Sequence, residues 1–545
     1  MTAQAVSVPR PDAGLGNGPR GGGFGGLLRA EWVKFRSVRG WVIGMILAAL
    51  LTIFLGVFAA ANANIGCQIN GGAPKSGRAC LPYIPHGPGG EIVTDSFYFV
   101  RQPLTGNGSI TVRVTALTGE HADLSAGPAQ VGSGMVPGLV EWAKAGIIIK
   151  QSTRQGSAYA AMMATGGHGV RMQYNFTGDI AGMPGAVSAA HPRWLRLTRS
   201  GDTITGYDSV DGTHWTQVGT VQLTSLPSTV QVGMFATSPG YSVTQNSFGG
   251  SSFDGGPAQA TGVFDHVSLT GGAPGGTWTG TAIGRGGPAG GQGPGAGGSA
   301  PFTAAGGRFT LTGSGDIAPV TPGPGSSLPT VTIGQSLTGA FLGLIVIVVV
   351  AAMFFSTEYR RGLIRTTLAA TPRRGAVLAA KAVVIGAVAF VTGLVAAAVS
   401  IAVGVPKEEN SGQVLLTVPM LTEVRVIVGT AAMIALVAVF AVALGAILRR
   451  SAAAITIGVV IVVMPFLLTA LNILPAGVGD WLLRLTPAAG LAIEQSIPRY
   501  SQVTAIISPV RGYYPLSPYA GFGVLCLWVA AALALALVML RRRDA

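Results

Sequence analysis

The sequence predicts a multi-domain chain: a six-helix α transmembrane bundle with an extracellular all-β sandwich inserted after its first span. Three observations carry this. Only 10% of residues are charged while 49% are hydrophobic, against about 25% charged in a soluble domain. Six apolar runs are each long enough to cross a bilayer core of about 30 Å, which takes roughly 20 helical residues. Residues 63–270, by contrast, break into short alternating runs separated by turn signals.

Taken in order, residues 1–25 read as a disordered tail. In 26–40, GLLRAEWVKFRSVRG, Leu28, Trp32 and Phe35 recur at helical spacing and Arg29, Lys34 and Arg36 point elsewhere. That suits an amphipathic helix in a membrane interface, and an ordinary lead-in to the first span would look the same. The first span is 41–62. It is no cleaved signal peptide, being too long, with its basic flank far from the N-terminus and a poor processing site in AANANIGC. Within 63–270, SFYFVRQPL, GSITVRVTAL, AGIIIKQST, HGVRMQYNF, RWLRLTRSGDTITGYDS, THWTQVGTVQL, TVQVGMFATS and FDHVSL read as strands. SGD at 200–202 and DG at 211–212 are hairpin turns. Eight or more antiparallel strands suggest a two-sheet sandwich or jelly roll.

Cys67 and Cys80 flank a short Gly/Pro-rich loop, a spacing that permits a disulfide in an oxidising compartment; a zinc site would need two further ligands nearby. No metal is expected. Residues 271–335 read as a Gly/Pro-rich linker, with FTLTGSGDIAPV as a candidate closing strand. The remaining spans are 336–355, 382–404, 426–448, 452–473 and 519–540, with 356–381 and 474–518 between them and a short tail at 541–545.

Lys and Arg set the orientation. Residues 1–40, 356–381, 449–450 and 541–543 hold the basic clusters. With six spans all four fall on one side, which the positive-inside rule makes the cytoplasm. Both termini are then cytoplasmic and 63–335 extracellular. The net charge of +14 is dispersed, without an aromatic-interleaved basic face, so no nucleic-acid partner is expected. High Gly and Ala content and an excess of Arg over Lys suggest a GC-rich bacterial genome, hence a bacterial cell membrane.

Within those boundaries no Asp, Glu, Lys, Arg or His falls inside a span, so ion-coupled transport lacks its usual relay groups. An ATP site is also missing: of six lysines only Lys75 precedes Ser or Thr, and it follows Pro74 rather than Gly. The chain is not expected to be an enzyme. The segment STEYRRGLIRTTLAATPRRGAVLAAK (356–381) carries Arg360, Arg361, Arg365, Arg373, Arg374 and Lys381 against one acid, Glu358. It suits a short helix parallel to the membrane, a handle for a cytoplasmic partner, or a loop whose charge only sets topology.

That segment resembles the signature between the second and third spans of type-two (exporter) ABC transporter permeases. LLRAEWVKFRSVRGW before span one, the LRRS turn, LLRLTPAAGLAIEQ before span six and the RRRDA tail fit the same resemblance, which covers about 1–62 and 330–545. It implies a separate cytoplasmic ATPase subunit holding ATP and Mg, no cofactor on this chain, and a second permease copy or paralogue. It implies coupling roles for Glu31, Trp32, Lys34 and Arg36, and for Glu358, Tyr359, Arg360, Arg361, Arg365 and Thr366. Glu358 would pair with a nearby Arg, or be solvated surface charge. Residues 474–518 would form re-entrant helices in which Asp480, Arg484, Glu494 and Arg499 are shielded from lipid.

Members of that family carry only a short loop between spans one and two. The insertion here resembles concanavalin-like lectin and glucanase sandwiches in FYFVRQPLTGNGSITVRV, WAKAGIIIK, MMATGGHGVRMQY and WLRLTRSGDTITGYDSVDGTHW. The resemblance implies a concave sheet that binds extended sugars through aromatic faces, so the domain is expected to bind cell-wall glycan or to receive cargo. Tyr98, Trp142, Tyr159, Tyr174, Trp194 and Trp215 are the candidates, each of which could instead be core. The Glu-x-Asp-x-x-Glu carboxylates of related glycosidases are missing. The alternative to a transport subunit is a membrane-anchored carbohydrate-binding protein, for which one span would suffice.

Overall fold

The computed structural model of the chain describes residues 23–63, 65–67, 75–81, 83–124, 134–247, 250–272, 276–284, 302–322, 328–360, 373–471, 473–504 and 507–542. The tail at 1–25 therefore lies almost wholly outside the described residues. Among those described, six helices are long and apolar enough to cross a membrane. Helix α1 (Phe24–Ser37) precedes them, and a bend at Val38 leads into α2 (Arg39–Asn62). After the β domain come α3 (Ala340–Arg360), α4 (Arg374–Asn410) and α5 (Met420–Leu448). A fifth span is broken at Val463 into α6 (Ser451–Val462) and α7 (Met464–Ala470), with Pro465 in the first turn of α7. A short amphipathic α8 (Ala476–Leu485) and a 3₁₀ stretch, Pro487–Glu494, precede α9 (Pro518–Arg542).

Helix α5 is the axis of the bundle, packing on α3, α4, α6 and α9. Two-thirds of its apolar window is buried, against 22% for α2 at the periphery. Its C-terminus is set by Arg449, which takes the left-handed conformation (φ 56°) and so terminates the helix within the LRRS turn.

The helices outrun the spans expected from hydropathy alone. Glu358 belongs to α3, Lys381, Lys407, Glu408 and Glu409 to α4, and Glu423 and Arg425 to α5. The expected charge-free spans are thus the central stretches of longer helices that end in ionisable turns. An apolar count stops at the first charge, whereas backbone hydrogen bonding continues until a cap stops it.

The β domain is a two-layer antiparallel sandwich. Its main strands are β1 (Phe97–Ala122), β2 (Lys144–Lys150), β3 (Tyr159–Thr165), β4 (Val170–Tyr174), β5 (Gly178–Ala181), β6 (Arg193–Ser200), β7 (Thr203–Ser209), β8 (Thr216–Gln222), β9 (Thr229–Thr237), β10 (Ala258–Gly272), β11 (Thr279–Ile283), β12 (Phe302–Ala305) and β13 (Arg308–Gly313). The 26-residue β1 belongs to both layers. Its first half pairs with β9 and β11, and β9 leads on through β2, β3 and β4 to β5. Its second half pairs with β6 and β10, extending to β7, β8 and to β13, β12. The expected turns at Gly201 and Gly212 have φ of 61° and 78°, a region costly for residues with a Cβ.

Leu104, Ile110, Val112, Ile147, Ile149, Met162, Leu195, Leu197 and Val232 fill the space between the layers. The β9–β2–β3 layer is covered on its other face too, by Val93, Phe176, Ile283 and Ile317 against Phe97, Phe99, Ile148, Tyr159 and Phe235. This double burial explains the continuous apolar runs of β2 and β3. In the expected linker at 271–335, β13 and Ile317–Pro319 coincide with the candidate closing strand FTLTGSGDIAPV, and β11 and β12 are further strands there, all paired to other strands because they cover sheet that would otherwise be bare. Residues 285–301 of that stretch lie outside the described residues.

The sandwich is docked on one end of the bundle. Thr330–Val331 pairs in parallel with Val414–Leu415. Ile92 and Val320 pack with Val414, Leu416, Ile497 and Tyr513. Ser501 donates to Asp179 (2.7 Å) and the Gln502 amide to the Phe176 carbonyl (2.6 Å). Cys67 and Cys80 form a disulfide, and Arg78 within that loop bridges Glu409 at the end of α4 (2.6 Å).

Candidate coupling site

The other end of the bundle holds a buried ionic cluster built from three segments far apart in sequence. Helix α1 brings Glu31 and Phe35, four residues apart and therefore on one face; both are buried. Phe35 packs edge-on against Phe354 (6.0 Å between centroids), and Trp41 does the same (5.0 Å). This aromatic contact turns Glu31 inward. Lys381, in the second turn of α4, is wholly buried. Its ammonium donates to Glu31 and to Glu358, each at 2.7 Å. Lys34, about one-third exposed, bridges the same two carboxylates, at 3.2 Å to Glu31 and by a short contact to Glu358.

Two lysines and two glutamates make the cluster neutral, the condition for burying charge at tolerable cost. Phe354 and Phe355 present ring faces to the Lys381 ammonium at 4.8 and 5.8 Å, adding cation–π attraction. Burial disfavours the charge on Lys34, but bonds and proximity to Glu358 and Glu31 outweigh it and raise its pKa above the usual value, so Lys34 is cationic at neutral pH. One Glu358 oxygen, Oε2, is buried without a hydrogen-bond partner. Beside the cluster, Tyr359 stacks near Phe355 (5.8 Å) and beneath the Arg449 guanidinium (4.9 Å). Mechanically the cluster is a three-way joint: α1 cannot shift without breaking charge pairs to α3 and α4.

The structure therefore brings together Glu31, Lys34, Glu358 and Tyr359 of the expected coupling residues. Glu358 pairs with two lysines rather than an arginine, because the ends of α1 and α4, not the basic loop, pack against it. Trp32 stacks on Phe35 (6.3 Å between centroids) but is 43% exposed, and Arg36 is exposed beside it on the free side of α1. Arg360 ends α3, and Arg361, Arg365 and Thr366 lie outside the described residues. In the sequence Lys381 stands only as loop charge. Its signal was available: a lone lysine followed by the apolar run AVVIGAVAF calls for a buried partner.

The aromatic candidates of the sandwich do not form one platform. Tyr159 is fully buried in the covered face of the β3 layer, and Trp142, stacked on His168 (4.0 Å), is 4% exposed; neither is open to a ligand face as expected. Tyr98 and Tyr174 are half-buried against the inter-layer core. Trp194 and Trp215 are half-exposed, with Arg113 and Arg196 over their rings at 5.6 and 3.9 Å. Among the described residues no group of His, Cys, Asp or Glu is placed to hold a metal ion.

Several solved structures are similar to part of the chain. A functionally unknown protein from Saccharomyces cerevisiae is 14% identical over 39% of this chain and 88% of its own, with a TM-score of 0.22. The GH43 protein BlXynB of Bacillus licheniformis is 16% identical over 27% of this chain and 25% of its own, at 0.15. Scytalido-glutamic peptidase is 8% identical over 42% of this chain and 100% of its own, at 0.21. Likenesses with such TM-scores carry no argument. No curated protein matches. The family described as "ABC-2 family transporter protein" matches residues 34–545, which takes in the cluster's Lys34, Glu358 and Lys381, all six spans and the inserted sandwich, and the chain belongs to that family.

Proposed function

We propose that this ABC transporter permease is the membrane-spanning half of an exporter in a bacterial cell membrane. A separate cytoplasmic subunit binds and hydrolyses ATP with Mg, and a second permease copy or paralogue completes the pathway. The basic clusters put α1 and the α3–α4 connection on the cytoplasmic side and the sandwich outside. One observation carries the coupling role: Glu31, Lys34, Glu358 and Lys381 lock α1 to the end of α3 and the start of α4. The ATPase subunit bears on the free face of α1, where Trp32 is exposed, and on the segment after α3. Trp32→Ala is expected to weaken co-purification of the ATPase subunit about tenfold, as loss of an interface aromatic worth about 1–2 kcal/mol does. Glu358→Gln is expected to slow ATP hydrolysis by the assembled complex. If both variants retain the subunit and its activity at wild-type level, the coupling role fails.

A second reading concerns the sandwich. Trp194 and Trp215, half-exposed with arginines stacked on them, give the outer face of β6–β8 the character of a glycan- or cargo-binding surface. Trp215→Ala in the full-length protein should abolish binding on a cell-wall glycan array. A wild-type protein that retains no glycan removes the sugar half of this reading.

A further inference from the structure

Between the base of the sandwich and the adjoining rim of the bundle lies a cleft of about 990 Å³, as large as a small-molecule site. The sandwich side supplies Glu91 and Thr177; the bundle side supplies Thr417, Arg425, Arg499 and Ser517. We propose that this cleft binds the phosphate-bearing, hydroxylated headgroup of an anionic amphiphile from the neighbouring bilayer leaflet.

The charges come first. Arg425 is half-buried in the second turn of α5, near the positive end of the helix macrodipole, where a cation is disfavoured and an anion is favoured. Its guanidinium donates to the Gln495 carbonyl (2.7 Å) and lies 5.9 Å from the Tyr519 ring. Arg499 donates to the Tyr514 carbonyl. Among the described residues neither guanidinium bridges a carboxylate, and most of their forked donors, which suit phosphate oxygens, are left for another acceptor. Glu91, on the opposite wall, and Thr417 and Ser517 line the same cleft and offer acceptors for a headgroup hydroxyl. Arg425 and Arg499 against Glu91 leave the lining at +1.

The apolar surroundings exclude a purely soluble anion as the best fit. Met420 and Leu421, which lie in sequence between the cleft-lining Pro419 and Thr422, are 79% and 84% exposed, and Tyr519, next to the lining Pro518, is 74% exposed. Val424 and Val428 continue the Met420 stripe along α5 at intervals of four residues, one exposed face of the helix. A ligand whose phosphate meets the arginines can lay an acyl chain along that stripe. Tyr519 stands where an interfacial aromatic is favoured.

This site does not depend on the export reading, so its failure leaves that reading standing. The test is native mass spectrometry of the full-length detergent-solubilised protein titrated with phosphatidylglycerol, phosphatidylcholine or glycerol phosphate. The expected result is retention of phosphatidylglycerol in preference to phosphatidylcholine, with no retention of glycerol phosphate. Arg425→Gln should weaken phosphatidylglycerol retention about tenfold, or about 1.4 kcal/mol, as loss of a charge-assisted hydrogen bond does. Ser517→Trp, which fills the cleft from an exposed position, should do the same, and it decides the matter if Arg425→Gln fails to fold. Equal retention of the two lipids would mean annular lipid only and overturns the site. So does glycerol phosphate retained as well as the lipid, or phosphatidylglycerol retention unchanged in the substituted protein.

Discussion

Lys381→Met is expected to destabilise the bundle by about 3–5 kcal/mol, the usual cost of removing one partner from a buried charge group. Lys381 is wholly buried and donates to both Glu31 and Glu358 at 2.7 Å. Methionine fills a similar volume and keeps the contacts with Phe354 and Phe355, so packing loss is small. Two carboxylates would then share one partly exposed ammonium, that of Lys34, leaving a net negative charge in the joint. Glu31 is the carboxylate free to leave, because α1 is short and peripheral. The measurements are denaturant unfolding in detergent and the rate of tryptic cleavage at Arg29 and Arg36 on α1. Faster cleavage with a lower unfolding free energy is expected. Adding Glu358→Gln restores neutrality and should recover much of the loss. A single variant within about 1 kcal/mol of wild type, with α1 equally protected, would remove the cluster as the link between α1 and the spans.

Asp95→Ala is expected to cost a comparable amount, about 3–5 kcal/mol, in the sandwich. Asp95 and Lys150 are both wholly buried, 2.7 Å apart, and Asp95 also accepts the Gly156 amide at 2.8 Å. The pair clamps the segment just before β1 onto the C-terminal end of β2, and that segment continues into the contacts with the bundle. Burial pulls the Lys150 pKa below its usual 10.5, with Asp95 opposing the shift. A lysine whose folded pKa lies below its unfolded one binds fewer protons when folded, so its contribution to stability improves as pH rises through that window. Without Asp95 the depression deepens and the window widens downward. The deficit of Asp95→Ala should therefore shrink between neutral pH and pH 10, as read by urea unfolding at several pH values. A deficit below about 1 kcal/mol, or one independent of pH, would show that the pair is not what holds the segment.

Hydropathy made the bundle legible because a span must satisfy its own backbone in lipid, which leaves a long apolar run as its trace. Alternation in RWLRLTRS and TITGYDS marked β6 and β7, since each has one face on the core and one towards solvent. Where strands are buried on both faces, as β3 is, the alternation vanishes, and Tyr159 could not be told from a ligand platform. Within 271–335, β13 shows in the sequence as FTLTG, whereas β11 and β12 are masked by the Gly-rich composition around them and are defined by the strands they meet.

The six spans, their positive flanks, the inserted β domain and the family to which the chain belongs can all be read without coordinates. Each is written in local composition or short-range period. Which charges meet is set by long-range packing. Lys381 bonds a residue 350 positions away and another 23 away, and Arg425 bridges no carboxylate among the described residues, donating instead to the Gln495 carbonyl. Whether a charge is paired, buried or left open depends on what long-range packing brings within about 4 Å of it, a distance at which Coulomb energy varies several-fold with the surroundings, and no local pattern encodes that.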